Sequence, residues 1–264
     1  MKKLKFLGLA AIAAGMVSLT SCLDGGGNKT SGGAFGYADF SMEAGGIVAT
    51  DDYGSVIAAS AFNTQLTGGE YISYFASIDY DAQTSTKYTT AVVSDIRKYP
   101  EYHTNSYLTD TVSLLNNEIT INQIAVQPLG NMGSSTIYAF TANKHIFMSA
   151  GHKNIPSDMK VRYDLSYERG TEPVEVEGKN VYDLYLRAVK TADGDDTKSD
   201  RGIAGAYGLS EFLNYAINAE KSSGKSDVNV RINYINEFSK DSTSWNWATS
   251  DIYTFVIAYY TESK

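Results

Sequence analysis

Lys160-Val161-Arg162-Tyr163-Asp164-Leu165-Ser166-Tyr167-Glu168 is the stretch on which the fold turns. Val161, Tyr163, Leu165 and Tyr167 fall on one side of an extended chain, with Arg162, Asp164, Ser166 and Glu168 on the other. A period of two marks a β-strand, because successive side chains point to opposite faces. One apolar face and one polar face describe a strand of an antiparallel sheet, covered on one side and wet on the other.

The same pattern runs outward in both directions. From Tyr71 to Tyr80, Ile72, Tyr74, Ala76, Ile78 and Tyr80 share a face. Tyr88 to Tyr99 reads as a strand ended by Pro100, and Ile119 to Val126 as one stopped by Pro128-Leu129-Gly130. Val181 to Val189, Val228 to Ile235 and Ile252 to Tyr260 follow in the same style. Ile47–Thr50 and Ser55–Ala58 flank Asp51-Asp52-Tyr53-Gly54, which predicts a hairpin. Ile137–Phe140 and His145–Met148 predict a second, around Ala142-Asn143-Lys144. The 20 tyrosines against 10 phenylalanines suit half-buried sheet faces, where the ring is covered and the hydroxyl stays wet.

One segment departs from this pattern. Leu209, Phe212, Leu213, Ala216 and Ile217 recur at helical spacing, with Ser210 as N-cap, Glu211 in the first turn and Gly224 beyond the end. Just before it, Gly202-Ile203-Ala204-Gly205-Ala206-Tyr207-Gly208 lacks a P-loop lysine and reads as a flexible connection. Many short strands with little helix mean a mainly all-β chain: a sandwich, a barrel, or one of each. The polar interval near 101–118 is the place for a boundary.

The beginning of the chain carries a different message. Lys2, Lys3 and Lys5 precede an apolar run from Phe6 to Val17, and Leu19-Thr20-Ser21-Cys22 follows. That is the layout of a secretory signal over 1–21 with a bacterial lipobox, and the run is too short to span a bilayer comfortably. Cys22, the only cysteine, is the expected lipid-attachment residue. Two or more acyl chains anchor a protein stably, so the membrane is a partner through the lipid. Residues 22–33 form the lipidated cysteine and a Gly-rich tether that, as flexible coil, spans roughly 20 Å. With its thiol lipidated the chain forms no disulfide. Removing 1–21, which holds three lysines and no acid, takes the net charge from −8 to −11. So acidic a protein lacks the basic stripe that nucleic-acid binding needs.

In layout and length the mature chain resembles the NigD-like family of exported lipoproteins. The stretches that carry the resemblance are the hairpin around Asp51-Asp52-Tyr53-Gly54, the strand Tyr71–Tyr80, and Tyr88–Tyr99 with its Val93-Ser94-Asp95-Ile96 core. The absence of tryptophan before residue 245 is a departure. The resemblance implies a small OB-like β-barrel over 34–117 followed by an antiparallel β-sandwich with one short helix over 118–264. It implies a fold more than a function. Asp110-Thr111-Val112 and Asp241-Ser242-Thr243 also resemble the O-glycosylation sequon of Gram-negative anaerobes, which makes Thr111 and Ser242 candidate acceptors. Leu23-Asp24 only partly resembles the acidic surface-export signal of those bacteria.

Chemistry-bearing residues are sparse. His145 and His152 stand seven apart with a predicted turn at Gly151, whereas a zinc site wants a tighter pair plus a third ligand, so His103, His145 and His152 read as loop or strand-edge histidines. No G-x-S-x-G elbow is present. Asp193-Gly194-Asp195-Asp196 with Asp200 fails the EF-hand spacing and reads as a solvated hairpin tip, with calcium as the sharper alternative. No catalytic residue, metal site or cofactor is therefore expected. The remaining candidate is Trp245-Asn246-Trp247, whose indoles share a side in an extended segment. Trp245 and Trp247 either stack on a ligand or plug the end of the sandwich. The reading is a non-enzymatic outer-membrane lipoprotein, facing the periplasm or exposed at the surface, that binds a protein or glycan. The alternative is an adhesin or fimbria-like subunit that assembles by strand addition.

Overall fold

The computed structural model describes residues 28–107, 117–129, 136–239 and 244–261. Cys22, Thr111 and Ser242 lie outside the described residues. Strands dominate, with three short helices among the described residues, so the chain is all-β with curled, half-barrel sheets. It divides into two compact units. The first holds described residues 28–100, 128–129 and 140–144, and the second 101–107, 117–127, 136–139, 145–239 and 244–261.

The first unit contains β1 (Lys29–Ser41), β2 (Gly46–Thr50), β3 (Val56–Ala58), α1 (Ser60–Gln65), β4 (Glu70–Asp79), β5 (Thr89–Thr90) and β6 (Val92–Tyr99). Its sheet order is β5-β3-β2-β1-β4-β6. β1 begins at Lys29, inside the stretch read as tether, because Lys29 to Gly33 pair with Asp79 to Phe75. A backbone ladder needs no side chains, so glycine content alone hides such a strand. The hairpin at 51–54 forms as expected, and Asp51 Oδ1 accepts the amides of Tyr53 and Ser55, each at 2.9 Å. In β4, Ile72, Tyr74, Ala76 and Ile78 are buried. Tyr74 meets Phe62 of α1 edge-on at 5.2 Å. The inward residues of β1 are Gly32, Ala34, Gly36 and Ala38, small enough for the strand to curl tightly over that core. A Cβ on Gly36 would stand 3.1 Å from Ala49 Cβ and 3.2 Å from the Thr50 carbonyl.

The second unit contains β7 (Glu101–Asn105), β8 (Glu118–Ile119), β9 (Gln123–Val126) and β10 (Ile137–Tyr138). After β11 (Thr141–Ala142), which belongs to the first unit, it continues with β12 (His145–Pro156), β13 (Lys160–Ser166), β14 (Val174–Val176), β15 (Lys179–Ala192) and β16 (Lys198–Gly208). It ends with α2 (Ser210–Ser222), β17 (Asp227–Phe238), β18 (Trp245–Thr249), β19 (Tyr253–Val256) and α3 (Ala258–Thr261). Its strands run in the order β10-β19-β17-β15-β13-β7-β16-β12.

This unit corrects several expectations. The sandwich is not purely antiparallel: β15 runs parallel to β17, and β7 parallel to both β13 and β16. Parallel neighbours need a long crossover, and β16 followed by α2 supplies it between β15 and β17. Gly202–Gly208 is not a loose connection but the end of β16, paired with β12 from His145 to Gly151. Ile137–Tyr138 pairs with Tyr253–Thr254 rather than closing a hairpin with His145–Met148. The strand expected over 252–260 stops at Val256 and turns into α3. Finally, the first continuous run of the first unit stops at Pro100, because Glu101–Asn105 is drawn into the large sheet as β7, and the chain returns to that unit at 128–129 and 140–144.

The amphipathic segment forms α2 and buries Phe212, Leu213, Ala216 and Ile217 against the sheet. Phe212 stands edge-on to Tyr167 at 5.3 Å and to Tyr182 at 5.8 Å. Its N-cap is Leu209, with no side-chain cap bond, so Ser210 is the first helical residue rather than the cap. At the other end Gly224 adopts φ +72°, and the Lys225 amide donates to the Glu220 carbonyl at 2.9 Å. That left-handed step suits glycine and brings the Lys225 amide onto a last-turn carbonyl that the Ser223 amide also reaches, at 3.1 Å.

Candidate functional site

β15 is the central strand of the large sheet, and its alternation sets two faces. Tyr182, Leu184, Leu186 and Ala188 join the core under α2. Asp183, Tyr185 and Arg187 point the other way. On that second face the parallel register places Arg231 beside Asp183 and Asn233 beside Tyr185. The Arg231 guanidinium donates to Asp183 through Nε at 2.6 Å and Nη2 at 3.1 Å, and Asn233 Nδ2 donates to the same carboxylate at 2.7 Å. A hydrogen bond to Asp183 holds the Arg231 guanidinium above its usual range. A bidentate pair with a third donor fixes all three side chains in one orientation.

β18 adds the aromatic part. It pairs antiparallel with β17, Trp247 opposite Ile235 and Trp245 opposite Phe238, across a bulge at Ile235/Glu237. Both indoles are half-buried and share a face of β18, while Asn246 between them is exposed. The Trp247 ring stands edge-on to Tyr185, 82° between planes and 5.4 Å between centroids. Thr249 Oγ1 donates to Asn233 Oδ1 at 2.9 Å and ties β18 to the polar network. The structure thus brings Trp247 together with Tyr185, Asp183, Arg231 and Asn233, none of which the sequence singled out. Alternation within 181–189 placed Asp183 and Tyr185 on one face. Nothing local showed that residues 231 and 233 would lie beside them.

Further along this face lies an ion pair of another kind. Arg187 Nε and Nη2 donate to Glu118 Oε1 and Oε2 at 2.7 and 2.6 Å, and both side chains are 1% exposed. Sealed from solvent, this pair is a structural clamp rather than a ligand contact.

The histidines do not converge. His145 and His152 both sit on β12, an odd number of residues apart, so they point to opposite faces about 20 Å distant. His145 Nε2 contacts Glu101 at 3.0 Å. His152 is buried between the Thr120 carbonyl, 2.7 Å from Nδ1, and the Tyr163 hydroxyl, 2.6 Å from Nε2. Burial pushes its imidazole below the usual range. The carbonyl can only accept, so Nδ1 carries the proton and Nε2 accepts from Tyr163. His103 is exposed on β7. Asp193–Asp196 links β15 to β16, strands that are not neighbours, so it is not the tip of a hairpin. Its amides at Asp195 and Asp196 donate to Asp158, and Asp193 pairs with Lys190. Among the described residues no group of three or more His, Cys, Asp or Glu is placed to hold a metal ion.

The edge strand β6 bears on assembly. A register shift interrupts its pairing with β4, and Asp95 takes a left-handed φ of +52°. Bulges and charges at an edge are the usual obstacles to strand addition.

These features define an all-β, two-unit protein with one aromatic-and-polar face. No family model matches the chain, and no curated protein is detectably similar to it. Solved structures are similar in fold. An uncharacterized protein from Parabacteroides merdae aligns at TM-score 0.73 and 20% identity, over 85% of this chain and 98% of that one. A putative lipoprotein from Bacteroides fragilis aligns at TM-score 0.50 and 12% identity, over 84% of this chain and 97% of that one. A NigD-like immunity protein from Bacteroides caccae, of the family the layout resembles, aligns at TM-score 0.43 and 12% identity, over 83% and 90%. At such identities the first two alignments establish the fold alone.

Proposed function

We propose that this chain is a non-enzymatic lipoprotein of the bacterial cell envelope, anchored in the outer membrane through Cys22, that binds a glycan or protein partner through the Trp247 face. The observation that carries the reading is the half-buried Trp247 ring set edge-on to Tyr185 beside the fixed Asp183–Arg231–Asn233 network. Rigid aromatic groups next to oriented hydrogen-bonding groups are what a recognition surface needs. The lipobox and the fold shared with a putative lipoprotein support the envelope setting. The bulged, charged β6 edge weighs against the strand-addition alternative.

The test is a glycan array and an envelope cross-linking screen with the mature protein. Trp247→Ala with Tyr185→Ala is expected to remove the hits while the far-ultraviolet circular dichroism spectrum stays unchanged. Hits that survive in a folded double variant would place binding elsewhere. Cys22→Ser is expected to release the protein from the membrane fraction.

A further inference from the structure

At the C-terminal end of α2, the second unit bears a half-open polar cavity of about 200 Å3. Glu220 lines it and is only 3% exposed. The Tyr182 hydroxyl donates to Glu220 Oε1 at 2.9 Å, and the Asn180 amide reaches Oε1 at 3.3 Å and Oε2 at 3.2 Å. All of these donors are neutral. Among the described residues Glu220 forms no ion pair. Buried carboxylates ordinarily have a cationic partner, because desolvating the charge is costly. A carboxylate also accepts about four hydrogen bonds, and Oε2 receives a single long one. The carboxylate therefore keeps acceptor capacity and lacks a counter-charge.

The rest of the lining says what would supply it. Asp227 adds a second acid, while Lys179 and Lys225 are exposed at the cavity and bring two positive charges. Asn229 braces the wall: its Nδ2 donates to the Asn180 carbonyl at 3.2 Å and its Oδ1 accepts from Thr254 at 2.9 Å. Two acids and two lysines make a charge-balanced cavity in a chain whose net charge is −8. Its volume is below that of drug-sized sites, which start at roughly 300 Å3. We propose that this cavity binds a small zwitterion of the α-amino-acid class, with its ammonium on Glu220 and its carboxylate held by Lys179 and Lys225. This site is separate from the Trp247 face and stands without it.

The test is calorimetric and ligand-observed NMR titration of the mature chain with the free amino acids, each beside its N-acetylated and its C-amidated form. At least one free amino acid is expected to saturate, and either cap to weaken binding tenfold or more. Glu220→Gln and the exposed pair Lys179→Ala/Lys225→Ala are each expected to weaken it at least tenfold, the lysine variant with an unchanged melting temperature. If Glu220→Gln fails to fold, the lysine variant decides. Absence of saturable binding, capped forms that bind as well, or full affinity in the lysine variant would overturn the proposal.

Discussion

Replacing Glu118 by Gln probes the sealed ion pair on β15. The substitution keeps the shape and one acceptor but removes the negative charge from a site where both partners are 1% exposed. A guanidinium keeps its charge in proteins, so the substitution would leave a buried cation without its counter-ion. Breaking a buried pair from one side costs about 3–5 kcal/mol. In a unit of this size each kcal/mol lowers the melting temperature by about 2–4 °C, so the fall comes to about 6–20 °C. Replacing both members, Glu118→Leu with Arg187→Met, removes the stranded charge and is expected to recover most of the loss. As an internal control, Lys29→Met, which breaks a pair with side chains 66% and 38% exposed, is expected to leave the melting temperature in place. The assay is thermal denaturation by circular dichroism, with urea titration to check that m is unchanged. A fall below about 2 °C for Glu118→Gln, or two single losses that simply add in the double variant, would refute the picture of a desolvated clamp.

Three further outcomes follow from the packing. Phe212→Ala empties a site that is 1% exposed between Tyr167 and Tyr182, and is expected to cost about 3–5 kcal/mol in urea titration. Gly36→Ala drives a methyl group against Ala49 and the Thr50 backbone, and is expected to destabilise the first unit by about 1–3 kcal/mol, read by hydrogen exchange of β1 and β2 amides. His152 is held neutral by burial, so below its ordinary value near 6.5 the unfolded chain binds the proton more readily than the folded one. Stability is therefore expected to fall as pH drops from 7 towards 5, and His152→Gln is expected to flatten that part of the melting-temperature profile.

What the sequence disclosed and what it withheld divide along a physical line. Alternation in 71–80, 160–168 and 181–189 reports which side chains are covered, a local property, and the strands there form as read. Helical spacing over 209–217 likewise reports one buried face. Pairing between distant strands leaves no such trace. The parallel register of β15 and β17 depends on how β16 and α2 carry the chain across, so the sequence suggested an antiparallel sandwich. Gly202–Gly208 and Lys29–Gly33 were obscured for another reason, since strands rich in glycine are held by backbone bonds and show no side-chain pattern. The site follows the same division. Trp247 stood out because tryptophan is rare in this chain. Arg231 and Asn233 became its neighbours only through tertiary pairing, and the burial of Glu220 comes from the docking of α2, which leaves no local trace.

The most direct test of the Trp247 face uses the chain's own fluorescence, because its 2 tryptophans both lie on β18. A glycan or envelope protein that binds by an independent assay is titrated while indole emission is recorded. A saturable change in emission is expected with the same midpoint as binding, and it is expected to be lost in Trp247→Phe. A ligand that binds fully while the emission stays unchanged would contradict binding at the Trp247 face.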